Sequence, residues 1–174
     1  MDHMMTSIAN YISTNYALFG LTSASELKLV ASPKSKLEKG GRWLTMLALR
    51  TLPDYTRGAP FNNLLRPGVR GERFLTQIEY ECKMRAANPD RDFYWNPVRR
   101  FRDKVYEALA GPGRGGLVIP RYDWTDIQNP VEAGEIWFRV DQNTPLEDPV
   151  EDPDDKASKS IFLTYNVCWW RPVA

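Results

Sequence analysis

Few residues in this chain have the types and spacing that chemistry needs. The one histidine is His3, within Met-Asp-His-Met-Met. The rest of the chain therefore cannot supply Ser-His or Cys-His pairs, histidine acid–base work or most zinc sites. Residues 1–5 read as disordered or vector-derived sequence ahead of a native start at Met4 or Met5, so His3 is assigned no chemistry. The run Gly-Pro-Gly-Arg-Gly-Gly at 111–116 is glycine-rich. Phosphate-cradling loops follow a strand and open a helix. This run follows a predicted helix and precedes a predicted strand, so it reads as a helix stop and a flexible turn. Glu79 and Glu81 share one face of a predicted strand, the spacing a carboxylate-dependent hydrolase would need. On a wet face, such a pair is ordinarily just solvated. The acidic segment 143–159 carries Glu147, Asp148, Glu151, Asp152, Asp154 and Asp155. It is rich in oxygen ligands but lacks the spaced Asp, Asn and Gly of a calcium loop, and reads as a solvated hairpin tip. Cys82 and Cys168 fall inside predicted strands and read as reduced core residues. The expectation is a non-enzyme with no catalytic residue, no metal and no cofactor.

The chain has 174 residues, 43% of them hydrophobic and 26% charged, enough for one soluble domain, 1–174, with a sizeable core. Its formal charge of +1 gives no global reason to expect nucleic acid or an anionic membrane as the main partner. No apolar run approaches the ~20 residues of a bilayer span, and the amino terminus lacks the pattern of a secretory signal. The composition suits a protein made and folded in cytoplasm.

The elements that must position any site centre on residues 73–110. From Phe74 to Met84 every second residue is apolar or small: Phe74, Thr76, Ile78, Tyr80, Cys82 and Met84. That period predicts a strand with one dry and one wet face. Asn96-Pro97 then offers a cap and a first helical proline, and Val98, Phe101, Val105 and Leu109 recur at helical spacing up to Gly111. A first amphipathic helix is expected from a Thr6 or Ser7 cap to Gly20, with Ile8, Tyr11, Ile12, Tyr16 and Phe19 on one side. Further strands are expected at 26–31, 43–51, 117–124, 135–141 and 160–171, the 117–124 strand at an edge because it contains Pro120. Residues 52–72, with Pro53, Gly58, Pro60, Pro67, Gly68 and Gly71, are expected to hold neither helix nor strand.

The sum is an α+β fold: a largely antiparallel or mixed β-sheet, two α-helices packed on one face, and a long loop between strands 2 and 3. Two helices on one face leave the other uncovered. That face is predicted to hold Gln77, Glu79 and Glu81, which suit water, and Trp137, Phe162 and Trp170, which do not. The long loop carries Arg57, Phe61, Leu64, Leu65, Arg66 and Arg70. Loops of this length inside compact domains are usually functional or disordered, and this one reads either as a floppy hairpin extension or as a segment that orders against another subunit or protein. The predicted partner-binding set is therefore these six loop residues plus Trp137, Phe162 and Trp170. The alternative use of the basic loop is phosphate contact in a small nucleic-acid-binding module.

The element order, the strand running into a helix through Tyr80-Glu81-Cys82-Lys83-Met84-Arg85, the Tyr106 to Leu109 unit, and the closing strand Phe162-Leu163-Thr164-Tyr165-Asn166-Val167 resemble tail terminator proteins of long-tailed bacteriophages and related neck proteins. The resemblance implies a structural protein that closes into a six-membered ring by head-to-tail contacts. It would cap the tail tube protein, present a surface to the head-tail connector protein and let DNA pass without sequence-specific binding. It implies residence in the virion tail or neck, no membrane, and no catalytic machinery.

Overall fold

A computed structural model describes residues 3–29, 37–55, 63–66, 69–88, 95–139 and 148–172. The chain opens with helix α1, His3–Thr14, continued by a 3-10 turn at Tyr16–Phe19. Strands β1 (Leu27–Lys28), β2 (Arg42–Pro53), β3 (Asn63–Arg66) and β4 (Val69–Arg85) follow. Helix α2 spans Trp95–Ala110. Strands β5 (Val118–Asp123), β6 (Val131–Arg139), β7 (Val150–Asp152) and β8 (Asp155–Pro172) complete the chain. All eight strands form one sheet in the order β1-β2-β4-β8-β6-β5, with β3 beside β4 and β7 beside β8. Only the β1–β2 pair is parallel among these ladders. The expected α+β fold, a mixed sheet with two helices on one face, is the fold observed.

The alternation in β4 sets the dry face. Thr76, Ile78, Tyr80 and Cys82 are all fully buried, and β8 places Val167, Tyr165, Leu163 and Ile161 directly across from them. β2 adds Met46 and Leu44, and β6 adds Ile136 and Phe138. Both helices lie on this face. α1 contributes Met4, Ile8 and Ile12, and α2 contributes Val98, Phe101, Val105 and Leu109. Each such side chain contributes about 1.5–3 kcal/mol on leaving water. This outweighs the marginal stability of either helix alone. Tyr80 and Tyr165 are buried on the same face, and burial pushes both phenols well above their ordinary range.

Four expectations need correction. First, α1 begins at His3, and Met4 is fully buried, so residues 3–5 are part of the first helix, while residues 1 and 2 lie outside the described residues. His3 Nδ1 accepts a hydrogen bond from the Trp124 amide at 2.8 Å, and Ser7 Oγ accepts one from the Tyr122 amide at 2.9 Å. The helix thus seals the β5 edge, where Pro120 offers no amide hydrogen. Second, α2 starts at Trp95, one residue before the expected cap. Third, the 52–72 segment does hold strand. β2 runs to Pro53, its last residue, β3 occupies 63–66, and β4 begins at Val69. A terminal proline removes no interior ladder bond, and Gly71 pairs with Asn63 on one side and Pro172 on the other. Fourth, the acidic segment is more than a solvated tip. Within its described residues, β7 pairs with the start of β8, Asp152 accepts from Lys83, and Glu151 accepts from the buried Lys159.

The Lys83 hydrogen bond, more than any other contact, holds the Asp152 carboxyl below its ordinary value. A carboxyl depressed in the folded state stabilises the fold above its unfolded pKa and loses that contribution as pH falls through the folded value. The stability gap between the native protein and an Asp152→Asn variant, read from urea titrations, is therefore expected to be constant above about pH 5 and to shrink towards about pH 2. A gap that persists undiminished in acid would contradict this reading.

Candidate functional site

The face turned away from the helices carries a row of residues that the ladders align strand by strand. Leu52 of β2 sits across from Leu75 of β4, Leu75 across from Cys168 of β8, Cys168 across from Trp137 of β6, and Trp137 across from Val118 of β5. Four strand spacings make this apolar row about 19 Å long. Its two ends are exposed: Leu52 by 50% and Val118 by 53%. Leu75 and Trp137 are half-buried.

Leu52 reaches this face through a β-bulge. Before the bulge the even residues Leu44 and Met46 point to the core. The register shifts between Ala48 and Arg50, so afterwards Thr51 faces the core side and Leu52 the open side. The Thr51 and Thr76 hydroxyls share a hydrogen bond at 2.9 Å on the core side, which fixes the new phase. A bulge re-aims every later side chain in its strand. Leu47 and Leu49, also exposed, lie just before and within it.

Glycines position the two tryptophans. Gly116, at φ 95°, lies against the β6 backbone, and a Cβ there would fall 2.1 Å from Phe138 O and 2.7 Å from Trp137 Nε1. Trp137 Nε1 donates to Gly115 O at 3.2 Å, and the Arg139 guanidinium stacks 4.9 Å from the Trp137 ring. The 111–116 run, expected as a loose turn, is thus a clamp on one indole. Gly134, at φ 134°, leaves room for the Trp170 ring, which a Cβ would approach to 3.2 Å.

Beside the row, just past Leu52 and Pro53, lies Asp54, 1% exposed. Its backbone amide donates to Arg73 O at 3.0 Å, and Cys168 Sγ donates to its carboxylate at 3.1 Å. Burial first, and this acidic acceptor second, push the Cys168 thiol up to about 12. Cys82, on the core face, is likewise raised by burial. Both cysteines are free and buried, as expected, and neither has the thiolate character of a nucleophile. Sequence reading did not find Asp54, because an aspartate after a proline carries no pattern that separates a buried anchor from a turn residue.

Of the predicted contact residues, the structure brings Trp137 and Trp170 together at one end of the open face. Phe162 shares the face but lies six β8 residues from Cys168, about 20 Å away. Arg57 and Phe61 lie outside the described residues. The Leu64, Leu65 and Arg66 backbone forms β3, beside the first residues of β4 and at the same end of that strand as Trp170, and Arg70 is exposed there. Glu79 and Glu81 do share the open face, but Glu81 accepts a 2.6 Å hydrogen bond from Ser160 Oγ. Among the described residues, no group of three or more His, Cys, Asp or Glu is placed to hold a metal ion, and no helix is long and apolar enough to cross a membrane. No protein-family model matches the chain, and no curated protein or solved structure matches it either.

The clamp can be tested directly. Gly116→Ala is expected to cost at least about 2 kcal/mol, because it adds both a left-handed backbone and a backbone clash, and to change the near-ultraviolet signal of the tryptophans. Gly115→Ala, with open space around its Cα, is expected to be close to neutral. Equal stability of the two variants would remove the clamp from the account.

Proposed function

We propose that this chain is a structural, non-enzymatic protein that works by seating its open sheet face against other subunits, as the phage tail terminators it resembles do. The observation that supports this is the register-aligned apolar row from Leu52 to Val118, which neither helix covers. Apolar surface that the helices leave uncovered, exposed at Leu52 and Val118 and half-buried at Leu75 and Trp137, favours a contact surface. In this reading copies of the chain close head-to-tail into a ring, with six members by the resemblance. The ring caps the tail tube, faces the head-tail connector in the virion and lets DNA pass through its centre. The chemistry of the face fits that role: half-buried indoles and leucines give area, and arginines beside them give orientation.

Native mass measurement with electron microscopy tests it. A six-fold ring at micromolar concentration is expected. A protein that stays monomeric at every accessible concentration would overturn the reading. Tight binding to DNA, weakening steeply with salt, would favour the nucleic-acid alternative instead.

A further inference from the structure

We infer that two hairpin arms of opposite charge make the ring contact, the β5–β6 arm of one copy packing across the β3–β4 arm of the next. The inference rests on the ring reading above and names the surfaces that close the ring.

The ladders set both arms at one height. Phe74, Trp169 and Ile136 stand in register across β4, β8 and β6. β4 and β6 each pair antiparallel with β8, so they run the same way. Four residues before Phe74 is Arg70, which pairs with Leu64 of β3. Four residues before Ile136 is Glu132, which pairs with Tyr122 of β5. Both pairs lie about 13 Å beyond the Phe74 level. The arms are on opposite flanks. Gly71 has β3 on one side and β8 on the other, and Ile136 has β5 on one side and β8 on the other. A contact that joins opposite flanks at one height repeats by rotation about an axis along the strands with no rise. That closes a ring instead of winding a filament.

Charge makes the two arms partners. Residues 122–138 carry Asp123, Asp126, Glu132 and Glu135 and no basic residue. Residues 63–73 carry Arg66, Arg70 and Arg73 against Glu72 alone, and Arg171 already holds Glu72 at 2.8 Å. Arg70 and Glu132 are exposed, and neither forms an ion pair among the described residues. Unlike charges steer and orient such a contact, whereas arm against like arm would set acid on acid or base on base. The acidic arm is also ordered in advance. Asp123 Oδ1 accepts from the Thr125 amide at 2.9 Å, and Asp126 Oδ1 accepts from the Gln128 amide at 2.9 Å. This order holds Ile127 and Val131 out, each 68% exposed, as apolar area for the neighbour. A sheet running on from copy to copy is barred at the β5 edge. Pro120 has no amide hydrogen there, and the Tyr122 and Trp124 amides are given to Ser7 and His3.

The test is charge reversal in the full chain, read by native mass and sedimentation velocity. Arg70→Glu and Glu132→Arg are each expected to weaken ring assembly at least about fivefold. Glu107→Arg, at an exposed position on α2, is expected to change it less than about twofold. An equal mixture of the two defective variants is expected to form rings again. When they alternate, every contact joins unlike charges, and a ring of six accommodates alternation. Rescue by mixing requires that the arms meet between copies, so a loss of folding cannot imitate it. Native rings with single variants that assemble equally well, or a mixture no better than its parts, would overturn this inference and leave the ring reading standing. A native chain that never assembles would overturn both.

Discussion

The ladder between β4 and β8 decides both faces of this molecule at once. From Gly71 opposite Pro172 to Arg85 opposite Ser158, the two longest strands run antiparallel without a break in register. Side chains alternate across a strand, so a slip of β4 by one residue against β8 would turn Ile78 and Tyr80 out to water. The same slip would turn Glu79 and Glu81 into the core. The cost of that exchange, the buried β4 side chains lost and two carboxylates desolvated, makes the register effectively unique. Helix packing, the burial of Tyr80 and Tyr165 and the open face all inherit this phase.

The two cysteines show what that phase does. Cys82 and Cys168 are both buried and both raised in pKa, yet they lie on opposite sides of the sheet. Cys82 is covered by the helices. Cys168 lies under Leu75, Trp137 and the Asp54 carboxylate, so the open face has a small core of its own. That second core is thin. Two helices shelter one side of an eight-stranded sheet, and the other side is left with glycine clamps, a buried aspartate and half-exposed indoles. The structure is built to hold those indoles in place without covering them.

Much of this was legible in the sequence, and the reasons differ by element. The alternation in β4 and β8 and the helical spacing from Val98 to Leu109 are local signals, and Thr76, Ile78, Tyr80, Cys82, Ile161, Leu163, Tyr165, Val167, Val98, Phe101, Val105 and Leu109 have the burial their period implies. Trp137, Phe162 and Trp170 could be placed on the open face by parity alone. The apolar row could not. It depends on which residues stand side by side across four ladders, and on a bulge near Leu49 that moves Leu52 to the opposite face from the one its parity gives. β3 and the first residues of β4 were hidden by their prolines and glycines, which mark turns but also suit the ends of strands. The β7–β8 pairing was hidden by acidic residues whose lysine partners, Lys83 and Lys159, include one 69 positions away. The fold class was written in periodicity; the site was written in register.

The central claim is that the open face gains cover from other copies of the chain. Hydroxyl-radical footprinting across a dilution series, read by mass spectrometry, measures this side chain by side chain. The account predicts that Leu52, Trp137 and Trp170 become protected as concentration rises, while Leu18 and Leu29, which are exposed away from that face, stay equally reactive. Equal labelling of all five at every concentration would contradict it.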